Sequence, residues 1–485
     1  MEEQNYKGKV FSGTFWKFME RFLAQGITLA VSIVIARILN PSDYSTISIV
    51  LIFFTFANII ISGGLNTALI QKKDANSEDY TIVLFVSVLL SFVLFIGLFF
   101  IAPIIAEVYD EPLLVPLFRI MGVLLPINAV KSIWCAYISS TFQFKKFFFA
   151  TLGGTLSSAV VGVLLALKGF GVWALVAQQL TNSVIDTIIL ILSTRIGLTK
   201  YLSFKNLRVL FAYGWKVFVS SIIATAYNEV TPLIIGLRFS KDSLSYYTKG
   251  RSFPITFSSA TTNTLSSVLF PFLAKVQDDK DRVLGYTRRY MQLASYVSFP
   301  IMLGFFAIAD KFVLVLLTEK WLSAVYFLRV FCVCCMFDVI AVGNCETIKA
   351  IGKSGVYLVM EIIKKSLYLF VIVMFVLFSS TPEILTISSL VCVAIQITVN
   401  TIPNIKLIGY RFKDQLMDIV PNLCLSVVMA MIVYFLGFVI KKSIICLIVQ
   451  VVVGITLYLM VSVLVNNRSY YYIKETLASF IKRKR

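Results

Sequence analysis

Histidine is absent from this chain of 485 residues, and charged residues make up only 14% of it. The chain therefore has no imidazole proton relay and lacks the commonest metal ligand. No sequence motif of an ATP-binding loop, a serine hydrolase or a zinc protease occurs, and nearly all of the eight cysteines lie within apolar runs. Cys332, Cys334 and Cys335 stand close together, but neither a histidine nor a second cysteine pair completes a site. We expect no metal and no cofactor.

Hydrophobic residues make up 58% of the chain, whereas a soluble domain is typically about half apolar and about a quarter charged. Runs long enough to cross about 30 Å of hydrocarbon as a helix recur along the whole sequence. Fourteen such runs are predicted, at residues 11–37, 44–70, 80–106, 116–141, 147–168, 170–193, 215–238, 245–274, 289–317, 323–350, 355–379, 383–407, 417–440 and 443–465. The sequence thus predicts an all-α polytopic membrane protein with about 14 transmembrane helices.

The formal net charge is +19, and its distribution along the chain predicts the orientation. Lysine and arginine are concentrated in alternate loops, such as Lys72-Lys73, Lys145-Lys146, residues 195–208 and residues 275–289, and in the tail after residue 467. The positive-inside rule places these segments, and with them both termini, in the cytoplasm. Basic groups there meet the headgroups of membrane lipids, so we expect no nucleic acid partner.

The second half of the chain repeats the first. Trp16-Lys17 opens the first span and Trp215-Lys216 opens the seventh, and the later segments IARILNPSDY and IIGLRFSKDSLSYY place Arg37 and Arg238 in equivalent positions. Because the repeat starts at an odd-numbered span, both halves share one orientation, and repeats of this kind often place a transport path at their interface. The predicted division is an N-terminal six-helix lobe (1–198), a cytoplasmic interfacial linker helix (199–214), a C-terminal six-helix lobe (215–410), helices 13 and 14 (411–467) and a basic amphipathic tail (468–485).

Four segments carry a resemblance to a known family. They are IARILNPSDYSTISI and GGLNTALIQKK in the first half, and LSYYTKGRSFP and VLFPFLAKVQDD in the second. The sequence resembles the polysaccharide-exporting branch of the multidrug/oligosaccharidyl-lipid/polysaccharide transporter superfamily, in particular the colanic-acid-exporter-like group of Wzx-type flippases. The resemblance implies two six-helix bundles arranged as a V, with two further C-terminal helices. It also implies flipping of an undecaprenyl-diphosphate-linked oligosaccharide across the bacterial inner membrane, with a polymerase and other glycan-assembly proteins as expected partners.

Such a substrate needs a polar groove for its sugars and cationic side chains for its diphosphate. A charge inside a transmembrane helix is costly, so charges deep in the predicted spans are the candidates. In the first half these are Arg21 in the first span and Lys131 in the fourth, with Asn128 one turn before Lys131. The sixth span adds a polar stripe at positions i, i+4 and i+8, formed by Gln178, Asn182 and Asp186.

The second half contributes charged residues in three further spans. They are Glu229 in the seventh span, Lys249 and Arg251 in the eighth, and Asp338 and Glu346 in the tenth. Asp186, Glu229 and Asp338 are also candidates for proton or cation coupling, because no ATP site is present. For all these residues an alternative stays open, since polar side chains also hold transmembrane helices together. Glu346 with Lys349 has the spacing of an i, i+3 ion pair.

Other classes of function compete with a flippase. A drug or cation antiporter of the same superfamily typically has twelve helices and a more acidic cavity, whereas basic groups and two extra helices are predicted here. A polymerase or glycosyltransferase of glycan assembly usually carries a large outer loop with catalytic residues, and the predicted outer segments here are short. We therefore expect a transporter and not an enzyme.

Overall fold

The computed structural model describes residues 16, 19, 23–72, 75–141, 143–472 and 474–475. Helices are the only regular secondary structure in these residues, so the predicted all-α fold is confirmed. The chain forms two compact units, of which the first ends at Ser245 and the second begins at Tyr246.

The first unit contains nine helices within the residues that are described. They are α1 (Leu23–Ile38), α2 (Pro41–Ser62), α3 (Leu65–Gln71), α4 (Ser77–Val108), α5 (Leu114–Met121), α6 (Leu124–Ser140), α7 (Phe144–Leu167), α8 (Val172–Ser193) and α9 (Phe204–Arg238). A buried cluster of this unit includes Leu69, Tyr80 and Trp134, and the indole Nε1 of Trp134 donates a hydrogen bond to the carbonyl oxygen of Thr194 at 3.0 Å.

The helix α10 (Lys241–Lys275) continues from the first unit into the second. The described part of the second unit then contains α11 (Lys280–Leu316), a 3₁₀ turn (Glu319–Trp321), α12 (Ala324–Met336), α13 (Asp338–Ala350), α14 (Ser354–Phe378), α15 (Pro382–Ile408), α16 (Phe412–Val439) and α17 (Ser443–Leu464). Its core is formed where α11 packs against α12, α13 and α16, around Phe299, Met336 and Ile419.

Local sequence explains why the turn between α1 and α2 is short. Pro41 occupies the first turn of α2, where its missing N–H costs no helical hydrogen bond. The backbone N–H of Asn40 donates to Oδ2 of Asp43 at 3.1 Å, which closes the start of the helix. At the other end, Gly63 adopts the left-handed conformation that commonly ends a helix. The first two predicted spans are therefore joined by only two residues outside the helices, Leu39 and Asn40.

Eleven helices in the described part of the chain are long and apolar enough to cross a membrane. They correspond to all the predicted spans except the first, the eighth and the eleventh. The start of the first span lies outside the described residues, so only Leu23–Ile38 remains of it. The other two are long helices, of which α10 carries Lys249, Arg251 and many serines and threonines, and α14 carries Glu361, Lys364 and Lys365. The protein is a multi-pass membrane protein, and the number fourteen stays a prediction.

The predicted linker helix at residues 199–214 is not separate from the seventh span. Ser203 caps α9, whose helix then runs from Phe204 past Gly214 to Arg238. A Cβ atom on Gly64 would lie 2.0 Å from the carbonyl oxygen of Gly214, so the two backbones are in direct contact there. Through this contact and others α9 packs against α2, α3 and α4. The first unit therefore ends one helix later than the lobe boundary predicted at residue 215.

Candidate substrate site

The predicted site residues fall into both units, and Arg21 lies outside the described residues. In the first unit, Lys131 of α6 and Asp186 of α8 form an ion pair, with 2.5 Å between Nζ and Oδ2. The side chain of Asp186 is only 4% exposed, whereas that of Lys131 is 25% exposed. Lys131 lies about 14 Å along α6 from its end at Ser140. The structure thus joins two candidates that the sequence placed in different spans.

The polar stripe of α8 faces a stripe of small residues on α7. The two helices are antiparallel neighbours, and Gln178 lies against Gly162 while Asp186 lies against Gly154. Between these two contacts, the amide Nδ2 of Asn182 donates a hydrogen bond to Ser158 Oγ at 3.3 Å. Small residues allow such a close approach of two helices. The stripe therefore contributes to the packing of α7 on α8.

Asn128 and Glu229 occupy two further places in the first unit. The amide of Asn128 donates to Oδ1 of Asn58 at 3.3 Å and so connects α6 to α2. Glu229 is partly buried in α9, and the sequence-based division assigned it to the second half. The packing of α9 on the first unit explains the difference, because the chain boundary between the units follows that helix.

In the second unit, Lys249 and Arg251 of α10 lie close to aromatic rings. Lys249 is 6% exposed, and its ammonium group lies 5.7 Å from the ring centre of Trp321. The guanidinium group of Arg251 lies 5.9 Å from the ring centre of Phe331. A cation above an aromatic face is stabilised by the electrons of the ring, more strongly when water is excluded. Burial removes Lys249 from the surface that a substrate would reach.

The two acidic candidates of α13 have different surroundings. Ser258 of α10 donates a hydrogen bond to Oδ2 of Asp338 at 2.7 Å, so this contact connects α10 to α13. Glu346 forms an ion pair with Lys349, with 3.1 Å between Oε1 and Nζ. This is the i, i+3 pair that the spacing of the two residues allowed.

Sequence reasoning missed an acidic centre in the second unit. Asp418 of α16 is 4% exposed in its side chain and accepts two hydrogen bonds from Arg288, at 2.8 and 3.1 Å. It also accepts hydrogen bonds from Gln292 and from the hydroxyl of Tyr410. The prediction counted Arg288 among the loop charges, although it lies within α11. A signal was present, because Asp418, Asn422 and Ser426 follow the same i, i+4, i+8 spacing as the stripe on α8.

A buried amide network beside this centre was missed as well. Asn344 donates to Gln415 at 3.0 Å and accepts from Asn404 at 2.9 Å, which joins α13, α15 and α16. All three side chains are at most 3% exposed. Hydrogen bonds between buried amides hold helices in one arrangement, although Oδ1 of Asn404 has no donor among the described residues. We assign this network to the packing of the second unit.

The candidate side chains described above are able to bind a ligand and to exchange one charged partner for another. No group of three or more metal-ligating side chains occurs among the residues that the structure describes. Of the described candidates, Lys131 and Arg251 are basic groups deep in a predicted span that are also partly exposed, which an anionic ligand requires.

The sequence matches a family of known proteins. The profile of the family described as "Polysaccharide biosynthesis protein" matches residues 34–326. The succinoglycan biosynthesis transport protein ExoT of Rhizobium meliloti is 23% identical over 310 residues, which cover 64% of this chain and 63% of ExoT. The lipopolysaccharide biosynthesis protein WzxC of Escherichia coli is 22% identical over 336 residues, which cover 67% of this chain and 66% of WzxC. The chain therefore matches slightly less than two thirds of the length of either relative.

Solved structures show a similar fold over more of the chain. The lipid II flippase MurJ in its inward closed conformation has a TM-score of 0.75 at 14% identity, covering 94% of this chain and 98% of MurJ. An inward-facing multidrug resistance transporter of the MATE family has a TM-score of 0.59 at 14% identity, covering 79% of this chain and 94% of the transporter. At such low identity the likeness shows the fold alone, and it confirms the transporter fold expected from the sequence.

Proposed function

This chain belongs to the polysaccharide biosynthesis protein family, and from this premise we propose that it is a flippase for lipid-linked glycans. It moves undecaprenyl-diphosphate-linked oligosaccharide repeat units from the cytoplasmic to the periplasmic leaflet of the bacterial inner membrane. The translocated units serve the synthesis of a surface polysaccharide such as O-antigen, capsule or exopolysaccharide. In this proposal both termini are cytoplasmic, and no covalent bond of the substrate is made or broken.

The names of the related proteins support the proposed substrate class. ExoT is named a transport protein of succinoglycan biosynthesis, WzxC a protein of lipopolysaccharide biosynthesis, and MurJ a flippase of lipid II. A lipid-linked oligosaccharide combines the glycan biosynthesis named for ExoT and WzxC with the lipid flipping named for MurJ. ExoT and WzxC, the relatives in sequence, are both named for the biosynthesis of a glycan, which favours a flippase over a drug antiporter.

The observation that carries the proposal is the position of Lys131. Its ammonium group lies deep in a predicted span, yet its side chain is partly exposed. A charge in the membrane is costly, and Asp186 offsets that cost for Lys131, so the partly exposed ammonium group is available to an anion that replaces the carboxylate. A diphosphate is a strong ligand for an ammonium group, and the chain offers no nucleotide-binding motif to drive transport. Transport by alternating access therefore draws on an ion gradient, the membrane potential or the substrate gradient.

Flipping is measured with the purified protein in lipid vesicles that contain a fluorescent undecaprenyl-diphosphate oligosaccharide. A membrane-impermeant glycosidase added outside the vesicles reports how much of the glycan faces outward. We expect the cleavable fraction to rise with time from about half towards completion, because the protein exchanges the lipid between leaflets. Vesicles without protein should stay near the starting fraction.

A second vesicle experiment separates the flippase from the rival antiporter. The same preparation is loaded with ethidium and given an inward or outward proton or sodium gradient. Glycan flipping without ethidium transport agrees with the proposal. If a folded preparation transports ethidium and leaves the glycan in its original leaflet, the proposed flippase is wrong and the protein is a drug antiporter.

A further inference from the structure

We propose that Lys131 and Asp186 couple substrate binding to the uptake of a monovalent cation. The diphosphate of the substrate takes Lys131 away from Asp186, and the carboxylate of Asp186 then binds a proton or a small cation such as sodium. This inference rests on the proposed function, since the diphosphate is the anion that competes for Lys131. It adds a site for the coupling ion, placed on a specific carboxylate of the first unit.

The two members of the pair differ in how far they are able to move. Asp186 is held against α7, because its Cβ lies 3.0 Å from the place that a Cβ atom on Gly154 would take. Its side chain is almost completely buried, whereas Lys131 is 25% exposed on a long flexible side chain. Lys131 is therefore the member that turns to a ligand, and Asp186 is the member that stays.

The carboxylate of Asp186 is incompletely satisfied even with Lys131 in place. Its Oδ2 contacts the ammonium group, but among the described residues no group donates a hydrogen bond to its buried Oδ1. A buried ionised carboxylate without a compensating charge is strongly disfavoured, because its solvation by water is lost. When Lys131 leaves Asp186, another cation must therefore bind the carboxylate in its place. Uptake of a proton leaves a neutral acid, and uptake of sodium restores the pair.

The other charged groups on the helices around α8 are held elsewhere. On α2, Asp43 accepts a hydrogen bond from the backbone of Asn40, and on α5, Arg119 lies 4.3 Å from the ring centre of Phe99. On α7, Lys145 lies over the ring of Trp16, and Lys146 lies about 12 Å along the helix from Gly154. The remaining titratable groups on these helices and on α6 are Tyr44, Cys135 and Tyr137. Lys131 is thus the cation paired with Asp186 among the described residues.

A second lysine–aspartate pair in the same unit provides a matched control. Nζ of Lys72 lies 2.6 Å from Oδ2 of Asp79, with side-chain exposures of 31% and 0%. The pair resembles Lys131–Asp186 in distance and burial, but Lys72 lies at the end of α3 and Asp79 is engaged in capping α4. Substitution of Lys72 therefore removes an equivalent pair at a helix end instead of in mid-span.

The experiment measures binding of undecaprenyl diphosphate to the purified protein in lipid nanodiscs. Binding is compared at pH 6 and pH 8, with sodium chloride or with N-methylglucamine chloride. We expect wild-type protein to bind about tenfold more tightly at pH 6, or in sodium, than at pH 8 without sodium. The pH arm identifies a proton and the sodium arm identifies a metal cation as the coupling ion. Lys72→Gln should behave like the wild type.

The variants of the pair give opposite results. Asp186→Asn should bind tightly under all four conditions, because Lys131 is no longer held by a carboxylate. Lys131→Gln should bind about tenfold more weakly under all conditions. Protonation of the diphosphate itself also changes its binding with pH. This change is the same in Asp186→Asn, so the pH dependence of that variant is subtracted from that of the wild type. Thermal melting in detergent shows whether each variant is folded.

If Asp186→Asn keeps the dependence of the wild type on pH and sodium, or if Lys131→Gln binds like the wild type, the coupling is wrong while the flippase proposal stands. If folded wild-type protein binds no diphosphate under any condition and flips no glycan, the proposed function fails. Should Asp186→Asn not fold, the double variant Lys131→Gln/Asp186→Asn removes both charges together. Retention of the wild-type pH or sodium dependence by the double variant would also overturn the inference.

Discussion

Asp418 illustrates how a buried charge serves structure instead of transport. Its two carboxylate oxygens accept hydrogen bonds from Arg288, Gln292 and Tyr410, so both are satisfied. Asp186 differs, because one of its oxygens has no donor among the described residues. Hydrogen bonds to both oxygens fix Asp418, whereas Asp79, which like Asp186 has one oxygen without a donor in the described part of the chain, is fixed by its capping bond from the backbone N–H of Asn76.

Substitution Asp418→Asn should destabilise the second unit. The amide keeps the volume but loses the charge and turns one acceptor into a donor that faces Arg288 or Tyr410. Hydrogen bonds to a charged group typically contribute about 1.5–3 kcal/mol, so we expect a loss of about 2–3 kcal/mol. The measurement is the thermal midpoint of the purified protein in detergent.

Asp414, which lies in the first turn of the same helix, provides the control for that substitution. Asp414→Asn removes a favourable charge at a helix start and a longer-range attraction to Arg288, but no hydrogen bond of the cluster, so we expect a change of about 0.3–1 kcal/mol. Equal midpoints for Asp418→Asn and the wild type would show that the cluster around Asp418 adds nothing to stability.

The contact between α7 and α8 depends on small residues at regular spacing. Gly154, Ser158 and Gly162 of α7 lie against the stripe of Asp186, Asn182 and Gln178 on α8. Two polar amides and a carboxylate thus pack where larger residues on α7 would hold the helices apart. The stripe on α8 was recognised from sequence, but its partner on α7 was not, because glycine and serine give no hydropathy signal of their own.

Substitution Gly154→Leu should separate these helices. Its Cβ would lie 3.0 Å from the backbone carbonyl oxygen of Asn182, and backbone is not able to move aside as a flexible side chain does. Overpacking of this kind costs about 1–3 kcal/mol, and it also displaces Asp186. We expect a lower melting midpoint together with a loss of glycan flipping.

Gly97 of α4 is the control for this substitution, since a Cβ atom there meets nothing within 4 Å. Gly97→Leu should leave both the midpoint and flipping close to the wild type. An unchanged midpoint and unchanged flipping in Gly154→Leu would show that α7 and α8 tolerate separation.

For the whole molecule, the number of transmembrane spans determines whether the two termini lie on the same side of the membrane. Fourteen spans place both termini on one side, whereas the eleven helices that are apolar enough on their own would place them on opposite sides. The basic loops and the basic tail favour the cytoplasm for both. We therefore expect the first predicted span, α10 and α14 to cross the membrane as well, despite their polar and charged residues.

Reporter fusions test this topology in living cells. Green fluorescent protein fused after Arg485 should fluoresce, and alkaline phosphatase at the same place should be inactive, because the predicted C-terminus is cytoplasmic. A phosphatase fusion at Lys320, in a predicted outer loop, should be active. An active phosphatase after Arg485 would mean that the chain has an odd number of spans.

The sequence by itself determined where the helices lie and what class of protein they form. Length and hydropathy of an apolar run are local properties, so each predicted run coincides with helix in the described part of the chain. The turn at Asn40 and Pro41 was equally local. The family was also recognisable, because short segments such as IARILNPSDY keep their residues in order.

Only the tertiary structure decided which polar side chains meet. Arg288 and Asp418 are 130 positions apart, and Lys131 and Asp186 belong to helices with α7 between them in sequence. Contacts of this kind depend on the rotation of each helix about its axis and on the helix beside it, neither of which hydropathy contains. The close approach of Gly64 and Gly214 likewise placed α9 with the first unit. Charged residues within the predicted spans identified the candidates, and the packing of the helices determined which side chain each candidate contacts.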